Sequence, residues 1–135
     1  MNRPLAAFLA FAIFLFSCNN DKKSIPVTDT DVATTFIRDI LDNNIQEAEQ
    51  YILKDTTNMQ ILERWRQGYT KKSQAELEKY KSADIIINEI SNVSDSVTIV
   101  NYSNSYKKES KNVLKLIRVE GKWLIDFKYT FSGNM

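Results

Sequence analysis

Two periodicities divide the chain. From Asp29 or Thr30, either of which suits an N-cap, Ala33, Phe36, Ile37, Ile40 and Leu41 recur at three- and four-residue spacing. That spacing places them on one face of a helix of about three turns. Asp42-Asn43-Asn44 interrupts it, and Asn44 with Glu47 has the spacing of a capping box opening a second, short helix. Ile45, Ala48 and Ile52 share a face of that helix, with Tyr51 beside them. Thr57 with Gln60 predicts the start of a third, whose Met59, Leu62, Trp65 and Tyr69 fall on one side. Ser73-x-x-Glu76 opens a fourth segment ending near Lys81 and carrying Leu77 and Tyr80. Gly68 weakens a join between the third and fourth pieces without forbidding it, so residues 57–81 read as one helix or two.

After Ser82 the period becomes two. Ile85, Ile86 and Ile87 sit in a β-branched run, Asn92 to Asp95 supply a turn, and Val97 to Tyr106 is rich in Thr, Val and Tyr. A polar tip, Lys107 to Lys111, leads to Val113–Val119 and then to Glu120-Gly121, a tight hairpin signal. In the last predicted strand Trp123, Ile125, Phe127, Tyr129 and Phe131 alternate with Leu124, Asp126, Lys128, Thr130 and Ser132. Tight turns between four strands imply an antiparallel meander. Its aromatic face needs cover, and the helices supply it. The predicted fold is α+β, with N-terminal helices packed on one face of a curved four-stranded antiparallel sheet.

Ahead of this pattern, Arg3 precedes an unbroken apolar run from Leu5 to Phe16. Twelve helical residues reach about 18 Å, short of the roughly 30 Å hydrocarbon core, so a cleaved signal segment fits better than a membrane-spanning helix. The run ends in Leu15-Phe16-Ser17-Cys18, followed by Asn19-Asn20-Asp21-Lys22-Lys23. This ending resembles the lipobox of bacterial lipoproteins, with Phe16 bulkier than the family usually places there. The resemblance implies cleavage before Cys18 and lipid on its sulfur. The expected organisation is therefore residues 1–17 as a lipoprotein signal peptide, 18–27 as a lipidated tether, and 28–135 as the domain. The expected location is the cell envelope, anchored to a bacterial membrane and facing the periplasm or the exterior.

Composition narrows the chemistry. The 135 residues include one Cys and no His, and 26% are charged against 43% apolar. This balance suits one globular domain and excludes wholesale disorder. A single Cys cannot form an internal disulfide, which leaves Cys18 free for acylation. Without His, neither a Ser-His-Asp triad nor a His-ligated zinc site is available. Without the first 17 residues, 17 basic side chains face 17 acidic ones. A neutral exported domain is a poor nucleic-acid binder, and Lys107-Lys108-Glu109-Ser110-Lys111 reads as a solvated loop tip. The carboxylates show no metal-binding spacing, and neither a metal nor a cofactor is expected.

The order of parts, three or four helices and then four strands ending in Val119-Glu120-Gly121-Lys122-Trp123-Leu124-Ile125-Asp126, resembles the nuclear transport factor 2-like superfamily. It is similar in particular to that superfamily's small lipoproteins of unknown function. Their domains often close on a Gly-Lys-Trp hairpin and open with a first helix followed by an Ala-bearing one, as Ile45-Gln46-Glu47-Ala48 does here. The likeness runs from Val27 to Phe131 and implies a cone between sheet and helices; a cystatin-like arrangement, one long helix wrapped by a sheet, is the nearest competitor.

Some members of that superfamily are lyases or isomerases with a carboxylate or His at the bottom of the cone. Here alternation turns Asp126 away from the aromatic face, beside Lys128, as a solvated outer-face pair. Asp39 lies next to the first helix's apolar stripe and reads as a surface charge. No catalytic residue is therefore assigned. The aromatics either fill the core or line a pocket, and Tyr51, Trp65, Tyr69, Tyr102 and Trp123 are the candidate ligand contacts. Asp55-Thr56-Thr57 and Asp95-Ser96-Val97 resemble acceptor sites for O-glycosylation in Bacteroidetes. The expected function is a non-catalytic module binding a small ligand or an envelope protein. The alternatives are an isomerase or lyase using the cone, or a structural subunit of an envelope complex. Nothing in the sequence specifies an oligomeric state.

Overall fold

Thr28, one residue ahead of the expected cap, starts the first helix: its hydroxyl accepts from the Asp31 amide while the Asp31 carboxylate accepts from the Thr28 amide. The computed structural model describes residues 25–131. The signal segment, Cys18 and most of the tether lie outside the described residues. The chain forms α1 (Asp29–Leu41), α2 (Ile45–Glu49), α3 (Thr56–Thr70) and α4 (Gln74–Lys81). There follow β1 (Ile85–Ser94), β2 (Val97–Asn104), β3 (Asn112–Val119), β4 (Lys122–Ile125) and a single helical turn, α5 (Lys128–Phe131). The four strands make an antiparallel open sheet in the order β1-β2-β3-β4, with helices packed against it: an α+β fold.

The apolar stripe of α1 is buried as its spacing requires. Asp39, expected on the surface, is 2% exposed. The reason is that α1 is enclosed from both sides, touching α2, α4 and all four strands, so its buried face is wider than its apolar stripe. Arg38 extends from the same helix to the carbonyls of Ala83, Tyr80 and Lys81 at 2.9, 3.4 and 3.1 Å. It thereby satisfies the chain's exit from α4, where helix carbonyls lack partners. Asn44 makes no side-chain cap, so α2 lacks the expected capping box. Asp55, rather than Thr57, caps α3, accepting from the Asn58 amide. The third and fourth helical pieces are separate: Gly68 sits inside α3, and the break falls at 71–73, where Ser73 caps α4.

The strands differ from expectation at two places. β1 runs on through Asn92 and Ser94, which pair with Thr98 and Val97, so the first turn is tightened to Asp95-Ser96. Register shifts between Ile87 and Glu89 and between Asn92 and Ser94 accommodate the extra residues. Glu120 and Gly121 have φ of 49° and 80°, and Val119 pairs with Lys122. Both central residues are thus left-handed, as the commonest two-residue hairpin loop requires.

The larger departure is at the end. The last strand stops at Ile125, and Tyr129 and Phe131 leave its alternation for α5. Two contacts end it. The open edge of β4 is taken by the segment before α3, with the Ile125 amide donating to Tyr51 O at 2.8 Å and the Leu53 amide to Ile125 O at 2.9 Å. Then Asn58 Oδ1, from α3, accepts from the Lys128 amide at 2.6 Å and caps the new turn from outside it. Thr130 Oγ1 donates to Val113 O at 2.7 Å and docks α5 on β3. Phe127 remains on the inner side, edge-on to Phe36, Trp65 and Phe131, at centroid distances of 5.6, 5.3 and 5.3 Å.

Candidate functional site

Trp65, on α3, stands where three cavities meet. The largest, about 630 Å³, is a groove between α3 and α5, with Ile61, Trp65 and Phe131 as its apolar wall and Arg64, Asp126 and Lys128 as charged groups. A second, about 240 Å³, lies among α1, α3, α4 and the loop after β2, where Tyr69, Tyr80 and Tyr102 meet Lys72, Lys107 and Asn104. A third, about 320 Å³, runs between Trp65, Tyr102 and Phe127 toward α5. Of the expected ligand contacts, Trp65, Tyr69 and Tyr102 come together here. Tyr51 and Trp123 line none of these three. The Tyr51 carbonyl belongs to the β4 edge, and Trp123 lies 5.9 Å from the Arg118 guanidinium on the sheet.

Asp126 is the main correction to the sequence reading. Instead of a solvated outer-face group it is 9% exposed and borders the 630 Å³ groove. The strand ends one residue earlier, so alternation no longer governs its direction. Its Oδ1 lies 3.0 Å from Lys128 Nζ and 3.3 Å from Asn58 Nδ2. The fully buried Asn58 also places Nδ2 2.9 Å from Asp55 Oδ2 and 3.2 Å from Leu53 O. Lys128 Nζ completes the set at 2.8 Å from Asp55 Oδ2. The hydrogen bond from Lys128, with the Asn58 amide second, holds the Asp55 carboxyl below the usual range. The Lys128 ammonium is raised in turn, by Asp55 first and then Asp126. Chemically the network is a clamp joining the start of α3 to the end of β4.

The tyrosines differ from one another. Burial, with smaller contributions from Tyr80 and Glu76, pushes the Tyr69 phenol up to about 12. Burial raises Tyr102 as well, with Tyr69 adding to it. In an alkaline absorbance titration these two are expected to remain protonated where exposed phenols ionise, near pH 10. The linkage sign follows: the unfolded chain loses these protons first, so stability present below about pH 10 is lost as pH rises through the folded values. Tyr69→Phe should remove one late-ionising equivalent.

Three of the polar groups in this region escaped the sequence reading. Lys72 follows α3 in a stretch with no distinguishing pattern. Lys107 belongs to a loop whose composition suits solvent, yet the loop folds back so that its ammonium lies 5.4 Å from the Tyr80 ring. Asn104 is the residue whose role was legible in principle, because an Asn at the end of a strand often turns the chain. Its Oδ1 accepts from the Tyr106 and Lys107 amides at 3.1 and 2.9 Å.

Fold and cavities together define an α+β domain whose helices and meander enclose an aromatic cleft. Compared with known protein families, with curated proteins and with solved structures, the chain finds no match.

Proposed function

We propose that this chain is an envelope lipoprotein whose nuclear transport factor 2-like domain binds a small ligand without transforming it. The observation that carries the reading is the convergence of Trp65, Tyr69 and Tyr102 on cavities that share Trp65, with aromatic walls beside charged and polar side chains. Helices followed by an antiparallel meander support the superfamily assignment, and the Leu15-Phe16-Ser17-Cys18 ending supports the anchor. Two or more acyl chains would hold such a domain durably on a bilayer.

Ligand-observed NMR with a panel of single-ring compounds tests the binding. Hits are expected on the full-length chain in detergent and should be lost in Trp65→Ala while far-UV circular dichroism is retained. Binding indifferent to Trp65, or none at all, would remove the reading. For the anchor, a fatty-acid analogue should label the chain in cells and fail to label Cys18→Ser. Label retained on the Ser variant defeats it.

One observation favours the catalytic alternative: a buried carboxylate, Asp126, borders the largest groove. It is engaged with an ammonium and an amide, which suits a structural clamp. Turnover of an isomerase or lyase substrate, lost in Asp126→Asn with the fold intact, would install the enzyme reading in its place.

A further inference from the structure

Two ammonium groups, Lys72 and Lys107, and two carboxamides, Asn104 and Asn112, stand among the aromatic walls of the 240 Å³ cleft. Asn104 is 6% exposed, and because its Oδ1 is committed to two backbone amides, its Nδ2 group is fixed on the other side. Asn104 borders the cleft, and among the described residues no hydrogen bond uses that Nδ2. Tyr102, 7% exposed, presents a phenol to the same space. A carboxamide donor that no acceptor among the described residues engages is free to meet a ligand acceptor.

Charge points the same way. Lys72 and Lys107 approach the Tyr80 ring at 5.1 and 5.4 Å, and Lys79 and Lys107 both lie 5.6 Å from the Tyr106 ring. Glu76 answers Lys72 at 2.9 Å. Lys107 has no carboxylate within salt-bridge distance among the described residues. Lys72 and Lys107 thus bring two ammonium groups to the cleft against the one carboxylate, Glu76, that acts on both, a local excess that matches a single negative charge. The volume equals about eight water molecules of liquid, room for a one-ring molecule and too little for a nucleotide.

We propose that the cleft between α4 and the loop joining β2 to β3 binds a small organic carboxylate with a ring body, its acid head at Lys107, Lys72 and Asn104 and its ring against Tyr80 and Trp65. The proposal rests on the reading of the domain as a ligand binder and names the ligand's class. The head gains charge-assisted hydrogen bonds, and the ring packs on the aromatic walls. Lys107→Arg keeps the charge and should keep the binding.

Titration calorimetry on the full-length chain in detergent tests it with benzoate, its neutral isostere benzamide, and inorganic phosphate as probes. Benzoate is expected to bind, benzamide about tenfold more weakly or worse, and Lys107→Gln to weaken benzoate by about tenfold. Lys107 is exposed, so the variant should fold. Equal binding of benzoate and benzamide, or indifference to Lys107→Gln, overturns the proposal. Phosphate binding tighter than benzoate overturns the carboxylate class. If benzoate fails while neutral ring compounds still bind through Trp65, the inference falls and the ligand-binding reading stands; if nothing depends on Trp65, that reading falls too.

Discussion

Replacing Phe127 by Ala is expected to lower the unfolding free energy by about 3–5 kcal/mol, the range for deleting a large aromatic from a closed core. The ring is 1% exposed and stands edge-on to Phe36, Trp65 and Phe131, so it joins α1, α3 and α5 at once. The cavity left behind would open beside the space between Trp65 and Tyr102, which Phe127 already borders. Collapse is thus poor and the cost falls toward the upper end. Urea titration reads the loss; a change under 1 kcal/mol would mean that α5 and Trp65 close over the gap.

Asn58→Ala should cost about 2–4 kcal/mol, unusual for a neutral polar residue. Its amide bridges Leu53, Asp55 and Asp126, and its carbonyl receives the Lys128 amide. Truncation leaves the Lys128 N–H without its acceptor and deprives the Asp126 carboxylate of a donor, so the penalty comes from stranded partners more than from the lost side chain. Asn58→Asp, which places a third carboxylate beside Asp55 and Asp126, should be worse than Ala. The same clamp has an acid limit. Because Asp55 is held below its ordinary range by Lys128, its contribution is present above the unfolded carboxyl pKa, near 4, and lost as pH falls through the lower folded value. Asp55→Asn should flatten that part of the stability curve.

The fold was legible where local rules decide it. The stripe from Ala33 to Leu41 wrote α1, and Glu120-Gly121 wrote its hairpin, because periodicity and a positive-φ pair act within a few residues. Asp126 was misread because alternation assumes that the strand continues, and what stops this strand is an amide from α3 together with an edge contact at Tyr51 and Leu53. Neither leaves a mark near Asp126 in the sequence. Asp39 was misread because burial of α1 from two sides depends on α2 and α4. For the site, aromatic character identified Trp65, Tyr69 and Tyr102 as a set. Tyr51 and Trp123 share that character and pack against the same core, but they border none of these cavities. The polar half of the cleft was illegible because Lys107 is brought there by a loop that doubles back.

The cap on α5 has a consequence for the order of events. Asn58 and Lys128 are 70 residues apart, and the strand edge at Ile125 waits for Tyr51 and Leu53. Loop closure over such a span precedes its reward, so these contacts form late. The groove bordered by Asp126 and Phe131 therefore cannot exist while the final segment is still emerging. A chain emerging from its N-terminus would hold its helices unlocked at that end until the final segment follows and closes the groove.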